Sequence, residues 1–370
     1  MLKKVIMSDL GEIHTGNTPS KKNNEYYESN DIMFIKPDIM SFDIENIVES
    51  NEYISEKARD KARIVPANSL LVSCIGNIGK LAINKEEASF NQQINAIVHN
   101  ENIASSKYLA YLLKYNQKRL EAIANAPVVP IINKTQFSNF EVLIHESLEI
   151  QNKIVEVLDK AQELIEKRKE QIEALDELVK SRFIELFGNV ITNSKGWETE
   201  LLGEICELKA GKNIKAKDIY EDKAEDLYPC YGGNGLRGYV KSYSHEGSIN
   251  LIGRQGALCG NVRYAKGKFY ATEHAVVTQP KVNINSYWLH FVLRELDLNR
   301  LSTGAAQPGL TVGKLNEVEI PKVPMELQNQ FSDFVKQVDK LKFKMKTSLK
   351  ELEDNFNSLM QKAFKGELFN

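Results

Sequence analysis

Two sets of polar residues among glycines carry most of the chemistry this sequence can offer. In the first half, Thr15-Gly-Asn-Thr-Pro-Ser-Lys-Lys22 makes a turn that displays Lys21 and Lys22. Ser89-Phe-Asn-Gln-Gln-Ile94 places Asn91, Gln92 and Gln93 beside a strand, and Asn77 and Lys80 stand at the glycine pair Gly76/Gly79. An amide carries donor and acceptor side by side, as an adenine edge does, and an ammonium suits phosphate or guanine. In the second half Lys209, Lys212, Lys215 and Lys217 crowd one segment. Tyr228-Pro-Cys-Tyr-Gly-Gly-Asn-Gly-Leu-Arg-Gly-Tyr239 carries Asn234 and Arg237 among glycines that let backbone amides approach an anion. Arg254, Gln255 and Arg263 flank another glycine pair. The plain alternative is that these are ordinary loop residues of tight-turned β-domains. A basic, glycine-rich surface bearing tyrosines fits nucleic acid as well as it fits that alternative.

No catalytic constellation accompanies them. GxxxxGK[ST] is absent: the nearest approach, Gly260 to Gly267-Lys268, has the wrong spacing and ends on Phe269. No Asn/Asp-Pro-Pro-Tyr/Phe segment marks a methyltransferase, and Pro37-Asp38 has no Glu-x-Lys at nuclease-like distance. The six histidines show neither HxH nor HExxH spacing, and Cys74, Cys206, Cys230 and Cys259 form no CxxC pair. No metal site, disulfide framework, signal peptide or membrane span is expected, which reads as a reduced, cytoplasmic chain.

The elements that must hold these residues repeat. Ser69-Leu-Leu-Val-Ser-Cys-Ile-Gly-Asn-Ile-Gly-Lys80 and Leu81-Ala-Ile83 predict neighbouring strands joined through a glycine turn. A helix capped by Ser106 follows; after Pro127 and Pro130 comes a strand at Phe140–Ile144, and then a long helix from Leu148 that Gly188 stops. From Trp197 the order starts again. Leu10-Gly-Glu-Ile13 is echoed by Leu202-Gly-Glu-Ile205, the strand pair by Ile249–Val262, the helix by Ser286–Arg294, and Glu149-Ile-Gln151 by Glu326-Leu-Gln328. The chain reads as a tandem duplication, an architecture that suits a bivalent reader better than an enzyme.

The long helices carry heptad stripes. Ile154, Leu158, Ala161, Ile165, Arg168, Ile172, Leu175 and Val179 trace one seam. Phe331, Phe334, Val338, Leu341, Met345, Leu349, Leu352, Phe356, Leu359 and Ala363 trace the other, and the two are natural partners. Matching Gln151–Phe183 to Gln328–Phe364 predicts a second helix about one turn longer than the first. Within 370 residues, 42% are hydrophobic, enough for two or more cores, and a formal charge of −2 confines nucleic-acid binding to local patches.

The combination resembles the specificity subunit of type I restriction-modification systems over essentially the whole chain. The resemblance rests on the duplicated order, Thr15-Gly-Asn-Thr-Pro19, Ser73–Gly79, the Tyr228–Tyr239 loop, Leu251-Ile-Gly-Arg-Gln-Gly256 with Cys259-Gly260, Thr303-Gly-Ala-Ala-Gln-Pro-Gly309, and Ile320-Pro-Lys-Val-Pro324. It implies an α+β fold of two tandem β-rich target-recognition domains (1–147 and 196–324), each followed by a long spacer helix (148–188 and 325–370). The helices would pair as an antiparallel coiled coil. It further implies a non-catalytic chain that reads a bipartite site in double-stranded DNA and docks modification subunits, two being expected, and restriction subunits. S-adenosylmethionine, ATP and magnesium would belong to those partners, with no cofactor here. The first repeat lacks the prolines that precede the second long helix, so its hinge is expected to be looser. The runner-up is a coiled-coil scaffold whose two domains bind protein or glycan.

Overall fold

A computed structural model describes residues 1–124, 129–256, 258–303 and 309–369; Pro127 and residues 304–308 of the Thr303–Gly309 motif lie outside them. The chain divides into two compact units, Met1–Lys169 with Thr347–Asn370, and Glu170–Lys346.

The first unit begins with β1 (Leu2–Ile6) and β2 (Gly11–Thr15), followed by β3 (Ile32–Ile35), β4 (Ile44–Ile47), β5 (Tyr53–Ile54) and β6 (Ile64–Val65). Then come β7 (Leu70–Ser73), β8 (Leu81–Asn84), β9 (Ala88–Phe90) and β10 (Ile94–His99), the helices α1 (Ser106–Tyr115), α2 (Gln117–Ala122) and α3 (Lys134–Ser138), and β11 (Glu141–His145). Helix α4 (Leu148–Phe187) leaves this unit and enters the second. There the order is β12 (Thr199–Leu201), α5 (Leu202–Ile205), β13 (Cys206–Ala210), β14 (Tyr228–Gly232), β15 (Gly235–Val240), β16 (His245–Gly253), β17 (Val262–Ala271) and β18 (Ala275–Pro280). It ends with α6 (Ser286–Glu295), α7 (Val312–Asn316), β19 (Glu319–Pro321) and α8 (Met325–Phe364).

The sheets bear out the duplication. The five-stranded sheet β2-β10-β7-β8-β4 and the six-stranded sheet β13-β18-β16-β17-β14-β15 share their first four positions. Each unit also closes with a two-stranded antiparallel sheet, β1 with β11 and β12 with β19, just ahead of its long helix. The central strands β3, β7 and β8 are apolar runs buried at every residue, as strands covered on both faces must be. The cap of α1 sits one residue earlier than expected, Ser105 accepting from the Tyr108 amide; α6 is capped by Asn285, which accepts from the amides of Tyr287 and Trp288.

Each long helix is 40 residues, so the expected extra turn in the second is wrong. The partner of Phe364 is Phe187, not Phe183; the first helix runs one more turn until Gly188, at φ 75, ends it. In the first unit the start of α4 packs with the end of α8, where Ile154, Leu158 and Ile165 share a core with Phe356, Met360 and Phe364. In the second unit the end of α4 meets the start of α8, and Phe183 and Phe187 pack on Phe331 and Trp288 with ring centroids 5.4 to 5.9 Å apart. The pairing is therefore antiparallel. Val338 is buried on the seam, and Ile172, Leu175, Val179, Met345 and Leu352 are half-buried. Leu341 is not on it: its exposure is 44%, and the half-buried stem of Lys342 takes the place, its ammonium paired with Asp176. The seam steps by four and then three residues after Val338 rather than three and then four.

Each globular part is stitched to its helix by a buried glutamine. Gln151 Nε2 donates to the carbonyls of Ile103 (2.9 Å) and His145 (2.7 Å). Gln328 Nε2 donates to the Val323 carbonyl (2.8 Å), and its Oε1 accepts from the Asn285 amide (2.9 Å). The hinge of the first repeat, expected to be looser, has as many such bonds as the second. A tyrosine adds a second stitch: Tyr111 donates to Asp159 (2.5 Å) and Tyr287 to Asp339 (2.6 Å).

Two outcomes follow. Gln151→Leu leaves buried carbonyls without their donor, so chemical denaturation is expected to show a loss of roughly 1–3 kcal/mol, while exposed Asn152→Ala stays within about 0.5 kcal/mol. His290 is half-buried against Tyr264 and Tyr287, and its Nδ1–H donates to Asn250 Oδ1 (3.1 Å). Burial, then Arg294 and Arg263, hold its pKa down at about 4. The unfolded chain therefore takes up a proton that the native imidazole refuses, and stability is lost as pH falls below the ordinary histidine range towards 4. The thermal midpoint of the native protein should drop more steeply from pH 7 to 4.5 than that of His290→Gln.

Candidate nucleic-acid interface

In the second unit, five segments meet at one end of the sheet because their backbones bond to each other. The Lys212 amide donates to the Ala271 carbonyl (2.9 Å), Thr272 to Tyr231 (2.8 Å), Arg254 to His274 (3.1 Å) and Leu310 to Arg254 (2.9 Å). The approach is close enough to require glycine. A Cβ at position 253 would lie 2.1 Å from the Gly233 oxygen, and one at 211 would lie 2.2 Å from the Ala271 oxygen. Between these segments opens a cleft of about 460 Å³ lined by Asn234, Arg237, Gln255 and His274 among glycines. Arg263 reaches its edge, with Nη2 donating to the Asn234 carbonyl (3.5 Å). The fold thus gathers Lys212, Asn234, Arg254 and Gln255 from three connections, and Arg237 and Arg263 from the starts of β15 and β17. Lys215 and Lys217 are exposed further along the connection that leaves Lys212, and Lys209 is paired with Glu207 (2.6 Å).

The first unit builds the same end from different side chains. The Cys74 amide donates to the Gln93 carbonyl (2.7 Å) and Asn91 to Ile35 (3.1 Å), which correspond to the Arg254–His274 and Thr272–Tyr231 bonds. A Cβ at Gly16 would lie 2.2 Å from the Asn91 oxygen. Asn77 and Gln92 are exposed here, as are Lys21 and Lys22 on the connection from β2 to β3. Asn91 differs from expectation. It is 7% exposed, and its amide donates to Gln93 Oε1 (2.9 Å), so it shapes the loop instead of facing outward. Gln92 accepts from Thr18 Oγ1 (2.9 Å), and Lys80 donates to the Pro37 carbonyl (2.8 Å).

The bonding pattern aligns Asn91-Gln92-Gln93 with Thr272-Glu273-His274, three residues that sequence reasoning passed over. Their signal was positional: they precede β18 as the amides precede β10. Burial raises Cys74 to about 12 and Cys206 to about 11, so these thiols are not poised for nucleophilic work. Among the described residues no group of His, Cys, Asp or Glu is placed to hold a metal ion, and no helix is long and apolar enough to cross a membrane.

Comparison with known proteins agrees with this geometry. The family model described as "Type I restriction modification DNA specificity domain" matches residues 2–174 and 194–354, once for each repeat. The EcoprrI specificity subunit of a type I restriction enzyme from Escherichia coli is 33% identical over 90% of this chain and 87% of its own. The MjaIX specificity subunit from Methanocaldococcus jannaschii is 27% identical over 99% of this chain and 93% of its own. The crystal structure of a type I restriction-modification S subunit from M. genitalium superposes with a TM-score of 0.62 at 20% identity, covering 98% of this chain and 96% of that one. Two matched repeats and a relative this similar along nearly its whole length leave one assignment: the chain belongs to the type I restriction-modification DNA specificity family.

Proposed function

We infer that this chain is the non-catalytic DNA-recognition subunit of a type I restriction-modification complex, each unit reading one half of a split site. The observation that supports this best is the pair of equivalent loop ends, alike in backbone and unlike in side chains, which suits two readers of different short sequences. Family membership favours this over the scaffold reading. Adenine methylation with S-adenosylmethionine falls to modification subunits, two of them in keeping with the duplication, and ATP- and magnesium-dependent work to restriction subunits. Such a complex meets DNA in the cytoplasm. α4 and α8 act as the spacer, each about 60 Å of continuous helix.

The deciding experiment is electrophoretic retardation of duplex DNA by the chain with its modification subunit across a salt series. A steep fall of affinity with salt, with a specific site above the non-specific background, is expected; flat salt dependence would count against DNA reading. Exchanging residues of roughly 10 to 145 with those of a relative should change one half-site and leave the other, read by methylation mapping. Because the two helices are equal, lengthening both tests the spacer. Four residues inserted near Glu170 and four near Lys346 add about 6 Å to each and keep the seam nearly in phase. The gap between half-sites should then widen by about two base pairs at roughly 3.4 Å each. An unchanged gap in a well-folded variant would show that these helices do not set it.

A further inference from the structure

In the second unit, three polar atoms lie buried with no hydrogen-bond partner among the described residues, on two neighbouring loops: Arg254 Nε, Thr272 Oγ1 and Glu273 Oε2. Buried polar groups are normally satisfied, so orphans gathered at a candidate binding end call for a ligand. Thr272 is fully buried. The Arg254 amide bonds to the carbonyl of His274, the residue after Glu273, which sets the two charged side chains on adjacent backbones. Glu273 leans instead on His274, whose Nε2 is 3.3 Å from Oε1. The His274 side chain is 42% exposed, which leaves it room to turn away from the carboxylate.

A carboxylate is an odd group to keep on a surface meant for phosphates, because it repels them. What it can do there is accept from a base, and the major groove offers amino donors on cytosine N4 and adenine N6. A guanidinium does the reverse, donating to guanine O6 and N7. One base pair presents both demands together. We propose that Arg254 and Glu273 jointly read a single G·C pair in the half-site served by the second unit, the guanidinium taking guanine and the carboxylate taking the cytosine amino group. The proposal rests on the DNA-recognition reading above. The equivalent positions in the first unit hold Cys74 and Gln92, neither charged, and Gln92 is already bonded to Thr18. The charged pair is thus confined to one half-site, and the other serves as an internal control.

The test is selection from a randomised duplex pool by the full chain with its modification subunit, followed by sequencing, for the native protein, Glu273→Gln and Arg254→Lys. The native protein should select a bipartite motif with a G·C pair at one position of one half. Both variants should relax that position by about ten- to a hundredfold and leave the other half intact. Arg254→Lys keeps the charge and loses the fork, so its salt slope should match the native one while its base preference does not. Melting temperatures close to the native value in these conservative variants exclude a folding defect. If the native protein selects a motif and both variants select it equally well, or if both halves relax together, the Arg254–Glu273 assignment is overturned. If the native protein selects no motif at all, the DNA-recognition reading itself falls.

Discussion

Neither globular part has a complete core without the two helix ends that enter it. In the first unit Tyr108, Leu109 and Leu112 of α1 are covered by Ile154 and Leu158 from the start of α4 and by Phe356, Met360 and Phe364 from the end of α8. In the second, Trp288 and Leu289 are closed by Phe183, Phe187, Phe331 and Val335. Burying such side chains contributes about 1.5–3 kcal/mol each, and the seam and the domain cores draw on the same residues. The helix pair is therefore a shared wall. The glutamine and tyrosine stitches set each domain on that wall by direction, which apolar packing alone does not do.

Against this fixed background the loop ends are free to differ. Their shape is held by amide-to-carbonyl bonds and by glycines that let backbones nearly touch, so the side chains projecting from them carry little of the folding load. The two units use the same backbone bonds to present Gln92 and Gln93 in one place and Glu273 and His274 in the other, with Asn91 and Thr272 buried beneath them. A recognition protein needs this separation of duties, since bases are read by side chains while the register of the protein on DNA is set by its frame.

Much of this was legible in the sequence, for reasons that can be named. The duplication showed through short motifs at glycines, caps and hinges, where few residues satisfy the geometry; Gly188 and the two buried glutamines are examples. Heptad stripes located both long helices. What stayed hidden was register. Phe183 and Phe187 are both aromatic, lie a turn apart and are both buried, so the pattern could not say which one is the counterpart of Phe364 at the end of the second helix. Leu341 and Lys342 are adjacent long side chains, and only the neighbouring Asp176 explains why the charged one turns inward. The Thr272–His274 loop was missed because its likeness to the amide loop lies in backbone bonding, which leaves no trace in residue identity. Asn91 was misjudged for a related reason, an amide being equally suited to hold a loop and to read a base.

The inward turn of Lys342 has a consequence for how the long helices find each other. A purely aliphatic seam fits almost as well after one helix slides along the other by a heptad, because apolar contact has no memory of position. With Lys342 and Asp176 as its polar step, such a slide would press an ammonium stem against aliphatic neighbours and strand the carboxylate. The pair, weak as a half-exposed ion pair is, serves as an alignment mark that penalises wrong partners more than it strengthens the right one.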